Sequence, residues 1–278
     1  MAASGKGRIL VTGASSGIGR ASALRLARAG YSVLAGVRNP ADGEALRAQT
    51  DALQPVLLDV TRPDAIADAV AICGQSLSGL VSNAGIAVTG PVELVTLEAW
   101  RRQFEVNVIG FVAMTQALLP LLRRGQGRIV IVGSIAGRSA LPGSAAYDAS
   151  KYALEAIADA LRMELHGEGI RVSLIEPGAV ATPLWQKTLE DIDRLRERAA
   201  PEACARYAGL LASLRREAER SAGKAAPPDK VAEAVEHAMT ARRPKARYVI
   251  GADAWFWLLL NVLGDRWRDR LILSQIHE

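Results

Sequence analysis

The sequence is poor in the residue types that bind metals or form disulfides. Only two cysteines and three histidines occur among its 278 residues. Cys73 and Cys204 lie far apart and match no metal or redox spacing, so we expect two free thiols in a reducing compartment. His166, His237 and His277 show no paired ligand spacing, and we expect each on a helix end or in the tail. No metal site is predicted.

Blocks of like charge and long apolar runs are also missing. Basic residues are interleaved with acidic ones, and the net charge is only +5, which gives little support to a nucleic-acid partner. The most apolar stretch, Ala254 to Leu263, is about half of the ~20 residues that span a bilayer. The first seven residues lack the apolar core of a signal peptide. We therefore expect a cytoplasmic protein.

The residues that are abundant indicate a layered α/β fold. Half of the residues are apolar and 25 are glycines, which suits this class and argues against disorder. Short, near-continuous apolar runs alternate with longer helical patterns. Such β-α-β units predict a doubly wound parallel sheet, the Rossmann fold, in one domain over residues 1–278. The predicted strands are Arg8–Val11, Ser32–Val37, Val56–Leu58, Leu80–Ser82, Arg128–Val132, Arg171–Ile175 and Arg247–Ile250, and the predicted helices are Gly17–Ala29, Pro63–Ile72, Leu97–Leu122, Ala145–His166 and Lys230–Thr240.

The last third of the chain has a different pattern. Residues 183–226 are charged, alanine-rich and helical, and we predict a helical insertion over one edge of the sheet that closes over the substrate. Residues 254–278 are predicted to form a helical tail. As a helix, Trp255–Leu260 is apolar nearly all round, which implies burial in the fold, in a neighbour or at a lipid surface. The basic run Arg242–Lys245 is interpreted as a solvated helix cap.

The first strand ends in a glycine-rich turn, Thr12-Gly13-Ala14-Ser15-Ser16-Gly17-Ile18-Gly19. Its glycines let the backbone approach a pyrophosphate, whose charge would lie at the positive N-terminus of the following helix. Strand two ends in Gly36-Val37-Arg38, with glycine roughly where a ribose-binding carboxylate often lies. Because arginine suits a 2′-phosphate, NADP(H) is favoured over NAD(H). The alternative is that Arg38 is a solvated loop cation.

Two residues with acid–base chemistry lie four apart in a helical pattern. Tyr147 and Lys151 therefore share one helix face. A phenol with a pKa near 10 is too weak a base at neutral pH, and a nearby ammonium together with a positive nicotinamide ring would lower that pKa. Ser134 follows strand five and can emerge at the carboxyl edge of the sheet, where ligands bind in such folds.

These motifs occur in an order and spacing that resemble the short-chain dehydrogenase/reductase family over roughly residues 7–182. Thr-Gly-x3-Gly-Ile-Gly resembles the family's cofactor motif, and Tyr147-x3-Lys151 its catalytic pair. Ser82-Asn83-Ala84-Gly85 resembles the family's Asn-Asn-Ala-Gly, with serine in place of the first asparagine. Leu58-Asp59-Val60 resembles the segment whose aspartate binds the adenine edge.

The resemblance implies a role for each matched residue. Tyr147 would be the general acid/base, and Lys151 would also hold the nicotinamide ribose. Ser134 would orient the substrate oxygen, and Asn107 would hold a water in a proton relay. The residues implied to contact the cofactor are Gly13, Ser15, Ser16, Gly17, Ile18, Gly19, Arg38, Asp59, Val60, Asn83, Ala84, Gly85, Tyr147, Lys151, Pro177, Gly178, Val180 and Thr182.

Within the family, the segment around Arg38 and the long tail resemble the hydroxysteroid and retinol dehydrogenase branch. That branch takes bulky apolar alcohols and ketones, and we expect such a substrate. The resemblance also implies a homodimer or homotetramer that pairs through the helices at 97–122 and 145–166. The alternatives are an NAD(H)-dependent member of the family and a non-catalytic dinucleotide sensor. A peripheral membrane contact is an alternative role for the tail.

Overall fold

A single seven-stranded sheet organises the computed structural model, which describes residues 6–276. The strand order is β3-β2-β1-β4-β5-β6-β7, and every pairing is parallel. The chain reverses its direction of travel across the sheet between β1 and β4, which creates a crevice at the carboxyl edge. The doubly wound prediction is confirmed. The strands are β1 (Arg8–Val11), β2 (Ser32–Val37), β3 (Leu53–Leu57), β4 (Gly79–Ser82), β5 (Arg128–Val132), β6 (Arg171–Pro177) and β7 (Arg247–Ile250).

The strands read as apolar runs because both faces of the sheet are covered. Successive residues of a strand point to opposite faces, so Leu10 belongs to one hydrophobic core whereas Ile9 and Val11 belong to the other. Helices pack on both sides. They are α1 (Gly17–Arg28), α2 (Pro40–Arg47), α3 (Pro63–Cys73), α4 (Leu97–Phe104), α5 (Gly110–Gly125), α6 (Ala145–Glu164), α7 (Leu184–Arg198), α8 (Pro201–Arg206), α9 (Ala208–Lys224), α10 (Pro228–Thr240), α11 (Ala252–Leu260) and α12 (Asp265–Ile276).

Three elements of the structure differ from the predictions. Strand β3 begins three residues before the predicted start and contains Pro55; an edge strand tolerates a residue that cannot donate to the ladder. Helix α2 was not predicted, although Asn39 caps it by accepting a hydrogen bond from the Ala41 amide at 3.0 Å. The predicted helix Leu97–Leu122 is interrupted by a π-helical stretch, Glu105–Ile109. Such stretches often occur at functional sites, and this one carries Asn107.

The stretch Leu97–Gly125 is long and apolar enough to cross a membrane by length and composition, and half of its most apolar window is buried. Met114, Leu118 and Leu122 are fully buried in the core on one face of the sheet. This stretch is therefore an interior helix of the fold.

The insertion at 183–226 begins and ends at neighbouring positions beside the sheet. It contains α7, α8 and α9, and its two ends meet where Val180 and Ala226 form a β-bridge. The Ala181 amide donates to the Ala226 carbonyl at 2.9 Å. Because both ends are fastened, the insertion is held above the carboxyl edge as a unit.

The residues set aside in the sequence analysis have local structural roles. His166 is exposed on a short 3₁₀ turn, and Nδ1 of His237 lies 2.8 Å from the Tyr248 hydroxyl. His277 lies outside the described residues. Cys73 and Cys204 are free thiols. No group of three histidine, cysteine or acidic residues could hold a metal within residues 6–276.

Candidate active site

The glycine-rich turn after β1 is packed too closely for side chains. A Cβ at Gly19 would lie 2.2 Å from the Gly13 carbonyl oxygen, and one at Gly13 would lie 2.9 Å from the backbone of Ala84. Gly13 and Gly17 also have positive φ, which favours glycine. Ser16 precedes α1 without making a side-chain cap, so the first amides of the helix are available to a phosphate. These features fit a dinucleotide pyrophosphate.

Asn83 fastens this turn to the next strand of the sheet. Its side-chain amide donates to the carbonyls of Thr12 and Gly13, both at 3.1 Å. The Thr12 hydroxyl in turn accepts the backbone amides of Asn83 and Ala84 at 3.0 Å. Thr12 was quoted in the sequence motif without a role. Its hydroxyl therefore joins β1 to β4 at the point where the crevice opens.

The end of β2 places one cation beside one carboxylate. Arg38 is exposed just beyond the strand. Burial opposes the ionisation of Asp59, but hydrogen bonds from Thr61 and the charge of Arg38 outweigh it and hold the Asp59 pKa below its usual value. Gly36 lies inside β2, and a Cβ there would be 2.9 Å from the Leu58 side chain. Packing thus provides its own reason for the glycine at position 36.

Tyr147 and Lys151 meet near the first turn of α6. The Lys151 ammonium lies 5.6 Å from the centre of the Tyr147 ring, and it donates to the Val132 carbonyl at 3.0 Å. Ser134 follows two residues after Val132 and is buried. Its hydroxyl accepts the Ala136 amide at 3.1 Å and also interacts with the Tyr147 phenol. The structure therefore brings together three of the four predicted catalytic residues at the end of β5.

Asn107 is joined to this group through a buried hydrogen-bond network. It is 3% exposed, and its side chain pairs with both the amide and the carbonyl of Ile86, at 2.9 and 3.0 Å. It also donates to the Ser150 hydroxyl at 3.1 Å, and Ser150 donates to the Tyr147 carbonyl at 2.7 Å. Gln103 repeats the pattern one turn earlier by donating to Ile86 and Ser150. The sequence analysis did not identify Gln103 or Ser150.

Burial dominates the ionisation of the catalytic pair. It raises the pKa of Tyr147 to about 12, with the Ser134 hydroxyl opposing the rise, and it lowers the pKa of Lys151 to about 8. In the protein by itself burial therefore prevails for the phenol, and the Lys151 ammonium is hydrogen-bonded to the Val132 carbonyl. The lowered Tyr147 pKa was predicted from Lys151 and the nicotinamide ring together, and it stays a prediction for the site with cofactor bound.

The turn that follows β6 is held by Asp253, a residue about 75 positions later that no sequence pattern relates to it. Asp253, at the start of α11, accepts the Ala179 amide at 2.7 Å. A Cβ at Gly178 would lie 2.1 Å from the same carboxylate. The Pro177-Gly178 turn therefore requires a glycine to admit Asp253. Thr182 lies close to the other end of the crevice, where a Cβ at Gly17 would be 2.9 Å from its methyl group.

The insertion covers the loops beside these residues. A Cβ at Gly143 would lie 2.4 Å from Leu214, and one at Gly90 would lie 2.5 Å from Leu195. Arg206 and Tyr207 bind Glu93 at 2.7 and 2.9 Å. The insertion therefore contacts the two loops that follow β4 and β5.

Comparison with known proteins agrees with this geometry. The family model described as short chain dehydrogenase matches residues 7–193. The chain is 37% identical to an Escherichia coli protein named uncharacterized oxidoreductase YbbO, over 95% of this chain and 93% of that one. It is also 37% identical to human retinol dehydrogenase 5, over 92% and 84% of the two chains.

A further relative and one solved structure extend the likeness. The bovine 17-beta-hydroxysteroid dehydrogenase type 6 is 37% identical over 90% of this chain and 82% of that one. A short-chain dehydrogenase structure from Streptomyces avermitilis superposes with a TM-score of 0.76 at 30% identity, covering 95% of this chain and 94% of that one. The chain belongs to the short-chain dehydrogenase/reductase family of oxidoreductases, in its hydroxysteroid and retinol dehydrogenase-like branch.

Proposed function

We propose that the protein is an NADP(H)-dependent oxidoreductase that interconverts an alcohol with a ketone or aldehyde on a bulky apolar substrate. The observation that carries the proposal is the partly buried Tyr147 phenol, with the buried Ser134 hydroxyl and Lys151 ammonium beside it. A proton donor, a group that orients the substrate oxygen and a cation are then available at the carboxyl edge of the sheet.

When bound, the nicotinamide supplies or accepts the hydride. In the reductive direction, Tyr147 donates its proton to the oxygen of the substrate carbonyl, while Ser134 holds that oxygen by a hydrogen bond. A pKa of about 12 keeps the phenol protonated at neutral pH, which suits this donation. Oxidation requires the phenolate, so it depends more on the Lys151 charge and on an alkaline pH.

The residues beneath the pair hold it in place and return the proton. Lys151 is the group from which Tyr147 is reprotonated, because its ammonium is a proton donor 5.6 Å from the centre of the phenol ring. Asn107 has both amide hydrogens and one acceptor position occupied by Ile86 and Ser150. Its remaining acceptor position is available to a water between Lys151 and solvent. Asn107 is thus chiefly a positioning residue, and Gln103 supports it.

The choice of NADP(H) depends on Arg38. The exposed guanidinium lies close enough to lower the Asp59 pKa, so it stands at the rim of the adenosine side of the crevice. A 2′-phosphate would gain a charge-assisted hydrogen bond there. The structure of a Burkholderia cenocepacia short chain dehydrogenase in complex with NADP, 26% identical over 95% of this chain, superposes with a TM-score of 0.71.

The apolar substrate class is supported by the covering insertion and by the relatives. Leu195 and Leu214 face the loops next to the catalytic edge, and an apolar pocket has few groups that would orient a sugar or an acid. Relatives of similar length are named for retinol and for a hydroxysteroid.

Turnover with a panel of steroids, retinoids and aromatic ketones, each with NADPH and with NADH, tests the proposal. We expect faster reduction of the apolar carbonyls with NADPH than with NADH, and slow turnover of sugars and hydroxy acids. NADPH binding seen by fluorescence without turnover of any carbonyl would favour the non-catalytic sensor.

Assembly and location belong to the same proposal. The protein is proposed to be a cytoplasmic homodimer or homotetramer that pairs through α4–α5 and α6. Ile109 and Met163 on these elements are 51% and 65% exposed, which is consistent with a covered face. Light scattering at micromolar concentration should give a dimer or a tetramer, and a monomer would contradict the proposal.

A further inference from the structure

A pair of buried carboxyl groups lies behind the catalytic residues. Glu155 follows Lys151 by one turn of α6, and Glu176 is the residue of β6 directly before Pro177-Gly178. Glu176 is fully buried and Glu155 is 8% exposed. Oε1 of Glu155 and Oε2 of Glu176 are both buried, and neither receives a hydrogen bond from any donor in the described part of the chain. The side chains of Glu155 and Glu176 are also close enough to interact with each other.

Arginine charges approach the other oxygens of the pair. Arg247 of β7 donates to Glu155 Oε2 at 3.0 Å and contacts Glu176 Oε1 at 3.1 Å. Its guanidinium also donates to Asp159 at 2.8 Å. Arg138 approaches Glu176 Oε1 at 3.4 Å. The Arg247 guanidinium therefore contacts three carboxylates, and only Glu176 also has Arg138 beside it.

The remaining groups around the cluster are few. Arg162 donates to Asp159 at 2.9 Å, and Tyr152 lines the pocket next to Glu155. The charged groups that face the pair are therefore Arg138, Asp159 and Arg247, with Arg162 next to Asp159.

Two ionised carboxylates, each with a buried oxygen that has no hydrogen-bond donor, would be unfavourable in this position. Each of these oxygens has lost its water without gaining a partner, and the like charges repel. One proton between the two oxygens supplies a donor to one and removes the repulsion from both. Burial and the Glu176 charge raise the pKa of Glu155, with Arg247 opposing.

We propose that Glu155 and Glu176 share one proton at neutral pH, and that this contact positions the catalytic helix against the Pro177-Gly178 turn. The role rests on the proposed function, because it concerns the alignment of Lys151 with the turn that faces the nicotinamide. Glu155 and Glu176 are positioning residues here and do not touch the reacting atoms.

The cluster also connects the helix that carries Tyr147 and Lys151 to the segment that follows Ser134. A Cβ at Gly137, three residues after Ser134, would lie 2.8 Å from the Lys151 carbonyl and 3.1 Å from the Glu155 side chain. The next residue, Arg138, reaches Glu176. Loss of the shared proton would place two negative charges between α6 and β6, which pushes apart the segments bearing Lys151 and Gly178.

Substitution of Glu155 by glutamine tests for the shared proton. In Glu155→Gln the amide donates to Glu176 at every pH and so imitates the protonated acid. Glu164→Gln is the matched control, because Glu164 is exposed near the end of the same helix. Both variants are made in an Asp148→Asn background, since Asp148 is a second buried carboxyl whose pKa is raised.

The first measurement is the free energy of unfolding by urea as a function of pH. A carboxyl with a raised pKa in the folded state stabilises the fold below its unfolded pKa, and this stability is lost as the pH rises through the folded pKa. In that window the unfolding equilibrium constant of the parent should rise up to tenfold per pH unit. Glu155→Gln should lose that slope, and Glu164→Gln should keep it.

The second measurement separates positioning from stability alone. In the reductive direction, the parent should lose kcat reversibly at alkaline pH with little change in KM, and Glu155→Gln should shift that loss to higher pH or remove it while keeping kcat at neutral pH. Infrared absorption should also show a protonated carboxyl at neutral pH that Glu155→Gln lacks. If Glu155→Gln leaves both the pH dependence of the unfolding free energy and the infrared spectrum unchanged, the shared proton is overturned. Neither measurement needs a substrate.

A cation between the oxygens would be the other way to satisfy them. If Mg²⁺ or Ca²⁺ stabilises the parent and Glu155→Gln abolishes that effect, the proposal is overturned in favour of a metal ion. If the pH slope disappears in Glu155→Gln while its alkaline kcat profile matches the parent, the shared proton stands and its positioning role is overturned.

Discussion

At the carboxyl edge of the sheet polar side chains are buried, whereas on the C-terminal helices large apolar side chains are exposed. Gln103 and Asn107 are 0% and 3% exposed, and every polar atom of their amides is hydrogen-bonded. Trp255 and Leu259 of α11 are 61% and 69% exposed, as is Trp267 of α12 at 65%. The two amide side chains at the edge thus have all their hydrogen-bond partners, and the apolar face of α11–α12 is open.

The difference between these two regions shows where hydrogen bonds within the chain fix the positions of side chains. A buried amide with all its partners made has one arrangement, because any other leaves a polar group unpaired. An exposed apolar face has no such constraint and gains stability only when something covers it. We therefore expect changes at the edge to affect chemistry and cofactor binding strongly, and changes on the C-terminal helices to affect stability weakly.

The largest effect should come from Tyr147→Phe. The variant loses only the transferable proton, so kcat should fall by about 10²–10⁴ while NADPH affinity measured by fluorescence stays nearly unchanged. Tyr152→Phe is the control, because Tyr152 is 44% exposed and lies farther along the same helix. A kcat for Tyr147→Phe close to that of the parent would remove Tyr147 from the chemistry.

Arg38→Ala tests the polar recognition of the cofactor at the edge. If the guanidinium binds a 2′-phosphate, NADPH binding should weaken by about 1.5–3 kcal/mol, the scale of a hydrogen bond to a charged group, with NADH binding unaffected. Arg47→Ala, at the exposed end of α2, should change neither. Equal losses for both cofactors in Arg38→Ala, or a parent that prefers NADH, would contradict the NADP(H) proposal.

Asp148→Asn tests whether the buried edge makes stability dependent on pH. Asp148 is 3% exposed, accepts the Leu141 amide at 2.8 Å, and has its pKa raised by burial to about 7. Its neutral form is favoured in the folded state, so stability falls as the pH rises from about 3.8 to about 7.

The asparagine variant keeps the acceptor and has no charge to gain. Its free energy of unfolding should therefore lose a slope of about 1.4 kcal/mol per pH unit in that window. Asp229→Asn, at the solvent-exposed start of α10, should retain the slope of the parent. A slope that is identical in Asp148→Asn and in the parent would show that Asp148 is ionised in the folded protein.

The smallest effect should come from the open face of the C-terminal helices. Trp255→Ser with Leu259→Ser should change the free energy of unfolding by no more than about 0.5 kcal/mol, because both side chains are already in water. Leu57→Thr, an exposed apolar residue on the edge strand, is the control. A loss of several kcal/mol would show that this face is covered, and light scattering would then identify a subunit contact.

Deleting residues 254–278 distinguishes the roles that the sequence left open for the tail. Ala254 and Ile272 are buried, and Asn261 donates to the Arg138 carbonyl at 2.6 Å, so the deletion should lower stability or raise KM for bulky ketones. If stability and kinetics are kept and only liposome binding is lost, the tail is a membrane contact.

Part of this arrangement could be predicted because it is local in the chain. Tyr147 and Lys151 are one helical turn apart, and Gly13, Gly17 and Gly19 lie in one turn, so periodicity and spacing suffice to place them. The apolar runs predict buried strands for the same reason. Their exact limits follow from neighbours instead: Pro55 is accepted in β3 only because that strand lies at the sheet edge.

The remaining features join segments that are distant in sequence, and the sequence has no local pattern for them. Asp253 fixes a turn about 75 positions earlier, and Glu155, Glu176 and Arg247 meet only because α6, β6 and β7 are neighbours. Burial likewise raises the pKa of Tyr147 in the protein by itself. By itself the sequence determined which groups are available and their order along the sheet. The tertiary structure decided which of these groups are buried and which gain hydrogen-bond partners. Burial in turn shifts their pKa values, because it disfavours the charged form.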